Sequence, residues 1–281
     1  MKKTLLSALL ITTFSLQGCS TLSALAPKLD SEKTVDEFYD VATTAFEEQR
    51  WDAAIASYEK LKSFYPYGDY AEQSYLELAY AYYKYDEDES AIIELDEFIR
   101  LFPKHPSIAY AYYLKALAAD SVNQSWLDKF ITDPASRDST ATVRAFRYYS
   151  DVLNKFPQSE FASKASQRLI ILRNQMARHE LQVAQFYFKR QAYLAAVNRG
   201  RYILENYPRS SVTLDTLTML EMAYGKLKMP EVMADIRSVH DLNSTTEETS
   251  PIAESTDTPP AQKSNKSWWQ SITEFFEGVS K

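Results

Sequence analysis

The sequence predicts an all-α protein, a right-handed α-solenoid of five helical hairpins with about ten helices. Three observations carry that expectation. Phe38, Val41, Ala42, Ala45, Ala54, Tyr58, Leu61 and Pro66 recur 37 residues later as Tyr75, Leu78, Ala79, Tyr82, Ala91, Leu95, Phe98 and Pro103. Within each copy the first four residues fall at i, i+3, i+4 and i+7, one face of a helix. Nine residues on, a small residue restarts the pattern, larger ones follow at +4 and +7, and a proline ends it. Each copy is therefore two packed helices joined by a tight turn. Finally, only 5 glycines leave little room for strands with tight turns, while 20 tyrosines and 14 phenylalanines supply large side chains to pack.

Residues 1–18 read as a targeting segment. Lys2 and Lys3 form a positive n-region, and Leu5 to Leu16 form a short, mostly apolar stretch of 12 residues. A helix needs roughly 20 residues to span a hydrocarbon core, so this stretch is too short for a transmembrane anchor. Leu16-Gln17-Gly18-Cys19 resembles the bacterial lipobox, with Gln17 a mild departure from the usual Ala or Ser. Cys19 is the single cysteine, so lipidation leaves no odd thiol and no disulfide. The expected modification is an N-acyl diacylglycerol on Cys19; several acyl chains exceed what stable anchoring requires. Ser20 lacks the aspartate that retains enterobacterial lipoproteins at the inner membrane, which implies outer-membrane sorting. Residues 1–18 carry two lysines and no acids, so their removal moves the formal charge from −7 to −9. An acidic chain argues against a nucleic-acid partner.

Residues 19–33 are expected to be a lipidated tether, followed by a solenoid over 34–240. Its N-terminal repeats occupy 34–122 and its C-terminal repeats 140–240. Helices are expected over 34–48 with 51–64, and over 69–85 with 88–101. A third hairpin pairs a helix carrying Tyr112, Ala116 and Ala119 with one carrying Ala145, Tyr149 and Val152. About 17 extra residues separate the two, an insertion over 123–139 containing Trp126, Phe130 and the turn Asp133-Pro134. It is either a functional loop or a surface loop folding its aromatics back onto the repeats. A long uninterrupted helix follows over 160–190, ending in Val183, Ala184 and Tyr187, with a partner helix carrying Ala196, Gly200 and Ile203. A looser fifth pair spans 211–226 and 229–240.

Residues 241–265 are Ser, Thr, Glu, Asp and Pro with little to bury, the composition of a disordered linker. In 266–281, Trp268, Trp269, Ile272, Phe275, Phe276 and Val279 share one helical face behind a capping box of Ser267 and Gln270. This amphipathic helix is a partner-docking element, a membrane-interface element, or an extra helix on the last repeat. Glu274 and Glu277 on its polar face disfavour anionic lipid.

No catalytic constellation is legible. His105, His179 and His240 are scattered, with no metal-ligand spacing, and there is neither a glycine-rich phosphate loop nor a G-x-S-x-G motif. The acidic run at residues 86–89 suits a solvated helix start. Neither cofactor nor metal is expected, and the chain is not expected to be an enzyme.

The hairpin pattern resembles the tetratricopeptide repeat (TPR). In that family the positions of each first helix just off the packing set line a concave binding face. The resemblance places Tyr39, Tyr80, Tyr83, Tyr110 and Tyr113 there. Tyrosine offers apolar area, a hydroxyl and little rotamer entropy to lose, which suits a peptide ligand. For any one of them a core position is an equal reading.

Taken together, the lipobox, five hairpins, the turn Tyr65-Pro66-Tyr67-Gly68-Asp69-Tyr70, Ala81-Tyr82-Tyr83-Lys84 and Phe98-Ile99-Arg100-Leu101 resemble the BamD family. These are lipoproteins of the β-barrel assembly machinery of the Gram-negative outer membrane. The third-repeat insertion and Ala195-Ala196-Val197-Asn198-Arg199 add to the likeness, which covers about residues 16–240. The tail after 241 lies outside it. The resemblance implies a non-catalytic scaffold whose N-terminal repeats receive unfolded outer-membrane proteins through an aromatic-ending signal. It implies that the C-terminal repeats hold the POTRA domains of a BamA-like barrel protein, with Arg199 at that interface, and that accessory lipoproteins of the machine dock as well. Tyr70 and Arg100 match positions associated with substrate. A TPR lipoprotein adapting peptidoglycan enzymes or division proteins is the rival reading. Such an adaptor should lack the insertion and the Tyr-Pro-Tyr-Gly turn.

Overall fold

The computed structural model describes residues 29–68, 70–122 and 140–247. Cys19 and its signal segment, the 123–139 insertion and the 266–281 segment lie outside the described residues. Ten α-helices and no strand occur among those described: α1 (Val35–Glu47), α2 (Trp51–Phe64), α3 (Ala71–Lys84), α4 (Asp88–Leu101), α5 (Ile108–Ser121), α6 (Thr140–Lys155), α7 (Glu160–Lys189), α8 (Tyr193–Asn206), α9 (Thr213–Lys226) and α10 (Pro230–Glu247). They form two compact units that divide after Val122. In the first, α2 to α5 each pack on the helix before, and α3 also touches α1 and α5; in the second, α7 to α10 do likewise, with α7 touching α9. Both units are helical-hairpin stacks.

One backbone device makes the hairpins. In four of them the first helix ends, and the second residue after it turns left-handed: Gln49, Asp86, Gln191 and Lys228, with φ of 57°, 61°, 62° and 60°. The next residue then closes a six-residue loop onto the departing helix. Arg50 N–H donates to the Ala45 carbonyl at 2.9 Å, Glu87 to Tyr82 at 2.9 Å, Ala192 to Tyr187 at 3.0 Å and Met229 to Tyr224 at 3.1 Å. This is a Schellman closure, and glycine normally occupies its left-handed position. Here non-glycine residues do, each at a local cost of roughly 1 kcal/mol, offset by the packing that the turn permits. The second helices stop alike. Tyr65, Phe102, Phe156 and Tyr207 each donate N–H to the carbonyl four residues back, at 2.8 to 2.9 Å. A proline follows each and cannot continue the helix.

The repeat set is the core. Phe38, Ala42, Ala45, Ala54, Tyr58 and Leu61 are buried, as are Tyr75, Leu78, Ala79, Tyr82, Ala91, Leu95 and Phe98. A side chain as large as Leu61 or Phe98, fully enclosed, is worth about 1.5–3 kcal/mol. Val41 departs from the pattern, at 53% exposed where its counterpart Leu78 is 1%. Leu78 sits on α3, between α1 and α5, whereas α1 is the outermost helix of its unit. In the second unit Ala177, Leu181, Ala184, Ala196, Val197, Ile203, Leu220 and Ala223 form the centre.

Two expected boundaries need correction. The tether over 19–33 is not loose to its end: Asp30–Glu32 is a 3-10 turn. Lys33 and Lys60 both donate to the Asp30 carboxylate, at 2.6 and 2.9 Å, and Tyr65 Oη donates to the Lys33 carbonyl at 2.8 Å. The linker does not begin at 241, because α10 runs on to Glu247. Propagating a formed helix gains one hydrogen bond per residue, and no proline intervenes before Pro251. Asn243 and Ser244 turn their side chains onto the carbonyls of Val239 and Asp241.

Candidate functional site

In the first unit, the first helices α1 and α3 carry an aromatic network built around one carboxylate. Glu77 of α3 accepts from Tyr58 Oη at 2.7 Å, Tyr39 Oη at 3.3 Å and Gln73 Nε2 at 2.7 Å. It thereby ties α1, α2 and α3 together. Withdrawal from water pushes the Glu77 carboxyl up to about 7, against the opposing pull of these three donors. Burial, reinforced by the Glu77 charge, pushes the Tyr39 and Tyr58 hydroxyls well above the ordinary phenol range.

Outward from this hub, Tyr39 stacks on Tyr70, ring centroids 4.2 Å apart and planes inclined by 13°. Tyr70 precedes α3 in a left-handed conformation, φ 65°, uncommon for a bulky residue. That conformation sets its ring against α1, where Tyr70 Oη donates to Asp36 Oδ1 at 3.0 Å. Tyr70 stays 39% exposed and Tyr67, in the same turn, 80%. Gly68 supplies the turn's other positive φ, 103°.

The expected tyrosine face is therefore only partly a surface. Tyr39 and Tyr70 form it together, and Tyr83 and Tyr113 are half-buried. Tyr80 and Tyr110 are corrected: both are core, at 6% and 8% exposed. Phe46 and Trp51 pack against Tyr80, centroids 5.7 and 5.9 Å away, with Tyr83 at 6.3 Å. Burial raises the Tyr110 hydroxyl well above its usual value, and moves Tyr83 up to about 12. Arg100 lies in the last turn of α4, where it meets Glu97 at 3.5 Å, apart from the tyrosine network. Glu77 itself was not anticipated, although it is the sole charge between Ser74 and Tyr83. A lone carboxylate in so apolar a run is the signal that would have found it.

Lys62 of α2 centres a second charged knot. It donates to Glu94 at 2.7 Å and Glu97 at 2.8 Å, and sits 4.4 Å from the Tyr75 ring centre. His105 is enclosed against Phe98, accepts from Ser107 N–H through Nδ1, and is held below the usual imidazole range by burial. Both are structural contacts. Among the described residues no group of His, Cys, Asp and Glu could hold a metal ion, and no helix is long and apolar enough to cross a membrane.

In the second unit Arg199 stands on α8. Its Nη1 donates to Glu180 Oε2 of α7 at 2.9 Å, and its side chain remains 45% exposed. The guanidinium thus has donors left for a partner. Exposed Leu194 (64%) and Tyr202 (41%) lie on the same helix.

Comparison with known proteins follows the same lines. The model of the family YfiO, described as an outer membrane lipoprotein, matches residues 31–239. The outer membrane protein assembly factor BamD of Neisseria meningitidis serogroup B is 35% identical over 246 residues, 86% of this chain and 91% of that protein. BamD of Xylella fastidiosa strain 9a5c is 34% identical, covering 85% and 82%. BamD of Vibrio cholerae is 31% identical, covering 86% and 99%. Among solved structures the TPR2AB domain of yeast Sti1 aligns over 74% of this chain and 78% of that one, at 16% identity and a TM-score of 0.38, too loose to weigh. With a family model spanning most of its length and relatives above 30% identity over four fifths or more of theirs, the chain belongs to the YfiO/BamD family.

Proposed function

We propose that the protein is an outer membrane protein assembly factor, acting as a non-catalytic scaffold lipoprotein. The observation that carries this is the match of residues 31–239 to one family, whose relatives named above are assembly factors. In this reading it is held by lipid on Cys19 at the outer membrane, facing the periplasm. The first unit receives unfolded outer-membrane proteins on the Tyr39–Tyr70 face. The second unit holds a BamA-like POTRA barrel protein through Arg199, and accessory Bam lipoproteins complete the assembly. An exposed guanidinium with free donors supports that use of Arg199, since it pairs bidentately with a carboxylate.

Affinity capture of the tagged lipoprotein from gently solubilised membranes, read by mass spectrometry, tests the reading. A POTRA-bearing barrel protein at near-equal amount is expected. Recovery of peptidoglycan synthases or hydrolases in its place would install the adaptor reading. Arg199→Glu is expected to lower barrel-protein recovery at least tenfold while helicity by circular dichroism is kept, because the residue is exposed. Loss of helicity would make Arg199 structural. Cys19→Ala should leave the units folded and move the protein to the soluble fraction. Membrane association that survives a salt wash would assign anchoring to a partner or to 266–281 instead.

A further inference from the structure

Charge is unevenly divided between the two units. Residues 29–122 carry 20 Asp and Glu against 8 Lys and Arg, whereas 140–247 carry 10 against 15. In the first unit most of the bases are already committed. Lys33 and Lys60 pair with Asp30, Arg50 with Glu48, Lys62 with Glu94 and Glu97, Arg100 with Glu97, and Lys115 with Asp96. None of these pairs reaches the acids of α1 that share a face with Tyr39. Asp36, Asp40 and Glu47 lie at i, i+4 and i+11, one side of the helix, and all three are exposed. Among the described residues no Lys or Arg forms an ion pair with any of them. Two observations tie this stripe to the aromatic face. Asp36 accepts the Tyr70 hydroxyl, and the Glu47 charge is felt by Tyr39, Tyr58 and Glu77.

We propose that the Tyr39–Tyr70 face takes an extended peptide segment in which an aromatic side chain is accompanied, two residues away, by a lysine or arginine. This rests on the reading of the first unit as the receiver of unfolded chains, and adds to it a charge preference. The aromatic lies against Tyr70 and Tyr67, which are exposed and supply apolar area. In an extended segment residues i and i+2 point to the same side, about 7 Å apart. That spacing carries the cation from the edge of Tyr70 to the carboxylates of Asp36 and Asp40, with Glu47 further along α1. A cation there gains Coulomb attraction from uncompensated acids and from the ring faces, whereas an acidic residue is repelled. Charge complementarity of this kind sets selectivity and encounter rate more than raw affinity.

The test uses the full-length lipoprotein in detergent and three fluorescent ten-residue peptides. They share one sequence ending in an aromatic and differ only two residues before it, where they carry Lys, Gln or Glu. At low ionic strength the Lys peptide is expected to bind about fivefold tighter than the Gln peptide, with Glu weakest. The difference should shrink to less than about twofold at several hundred millimolar salt, where the Debye length falls toward 5 Å. In the double variant Asp40→Asn with Glu47→Gln, which leaves Asp36 in place, the preference for the Lys peptide over the Gln peptide should fall to about twofold. Equal binding of Lys and Gln peptides by the unaltered protein would overturn the proposal while leaving substrate reception intact. So would a Lys preference that is undiminished in the double variant, or equal binding of a fourth peptide, the Lys peptide with its aromatic replaced by alanine. Failure of all three peptides to bind would overturn substrate reception at this face, and the charge preference with it.

Discussion

Glu77→Ala is expected to lower the unfolding free energy at pH 6 by about 3 kcal/mol, because it orphans the enclosed Tyr58 hydroxyl and the half-buried Tyr39 one. Tyr58 is fully buried and donates to Glu77 at 2.7 Å; Tyr39 donates at 3.3 Å. A buried donor without an acceptor costs about 1–3 kcal/mol, which falls in full on Tyr58 and in part on half-buried Tyr39. The same carboxylate should make the protein pH-sensitive. Its value is raised from 4.5 to about 7 in the folded chain. The folded state therefore keeps a proton that the unfolded state has already released. The stabilising contribution is complete below about pH 4.5 and is lost as pH climbs through 7, because in that window the unfolded state binds fewer protons. The loss amounts to roughly 3 kcal/mol at 1.36 kcal/mol per unit. Glu77→Gln, which cannot ionise, should flatten this dependence. Denaturant midpoints of the two proteins at pH 5, 6, 7 and 8 measure it, and parallel profiles would show that Glu77 does not titrate in this range.

The second large effect belongs to Gly200 on α8. A Cβ there would stand 2.7 Å from Leu220 Cδ2, 2.9 Å from Leu220 Cγ and 2.9 Å from Met219 Cε. Leu220 is 0% and Met219 3% exposed, so neither has space to retreat. Alanine gains about 1 kcal/mol of helix propensity over glycine, but overpacking a closed interface costs about 1–3 kcal/mol. Gly200→Ala should be net destabilising by up to about 2 kcal/mol, and Gly200→Leu far more. Gly225 on α9 provides the contrast. Its added Cβ would meet only Met233 Sδ, at 3.4 Å, so Gly225→Ala should stabilise by about 0.5–1 kcal/mol. Thermal unfolding of the two alanine variants decides the point. Shifts of the same sign would mean that α8 and α9 do not approach as closely as this packing requires.

Glu77 and Gly200 also mark how far the sequence could be read. The pairing of helices was legible because the 37-residue recurrence repeats both the apolar face and the aromatic-proline stop. Those stops act through the chain's own backbone, at Tyr65, Phe102, Phe156 and Tyr207. The left-handed hairpin turns were not legible as such. Gln49, Gln191 and Lys228 are not residues that announce positive φ, and Asp86, of a type enriched there, stands in an acidic run that also suits a helix start; it is packing of the two helices that holds them there. Gly200 could be placed on the packing face but not against a particular side chain.

Periodicity by itself determined where the apolar stripe of each helix runs, since 3.6 residues per turn sets it before any neighbour arrives. It determined the hairpins, and through the repeat the hairpin-stack architecture. Which neighbour closes over a given stripe was decided only in three dimensions. Tyr80 and Tyr83 are three residues apart on α3, yet Phe46 and Trp51 bury the first while the second stays half-buried. Val41 and Leu78 hold equivalent repeat positions, and only the one on α3, flanked on both sides, is enclosed. Tyrosine is stable in either setting when its hydroxyl finds a partner, so its identity does not reveal its exposure. Glu77 shows the converse: a charge that sequence alone places in solvent is drawn inside because three donors from three helices converge on it.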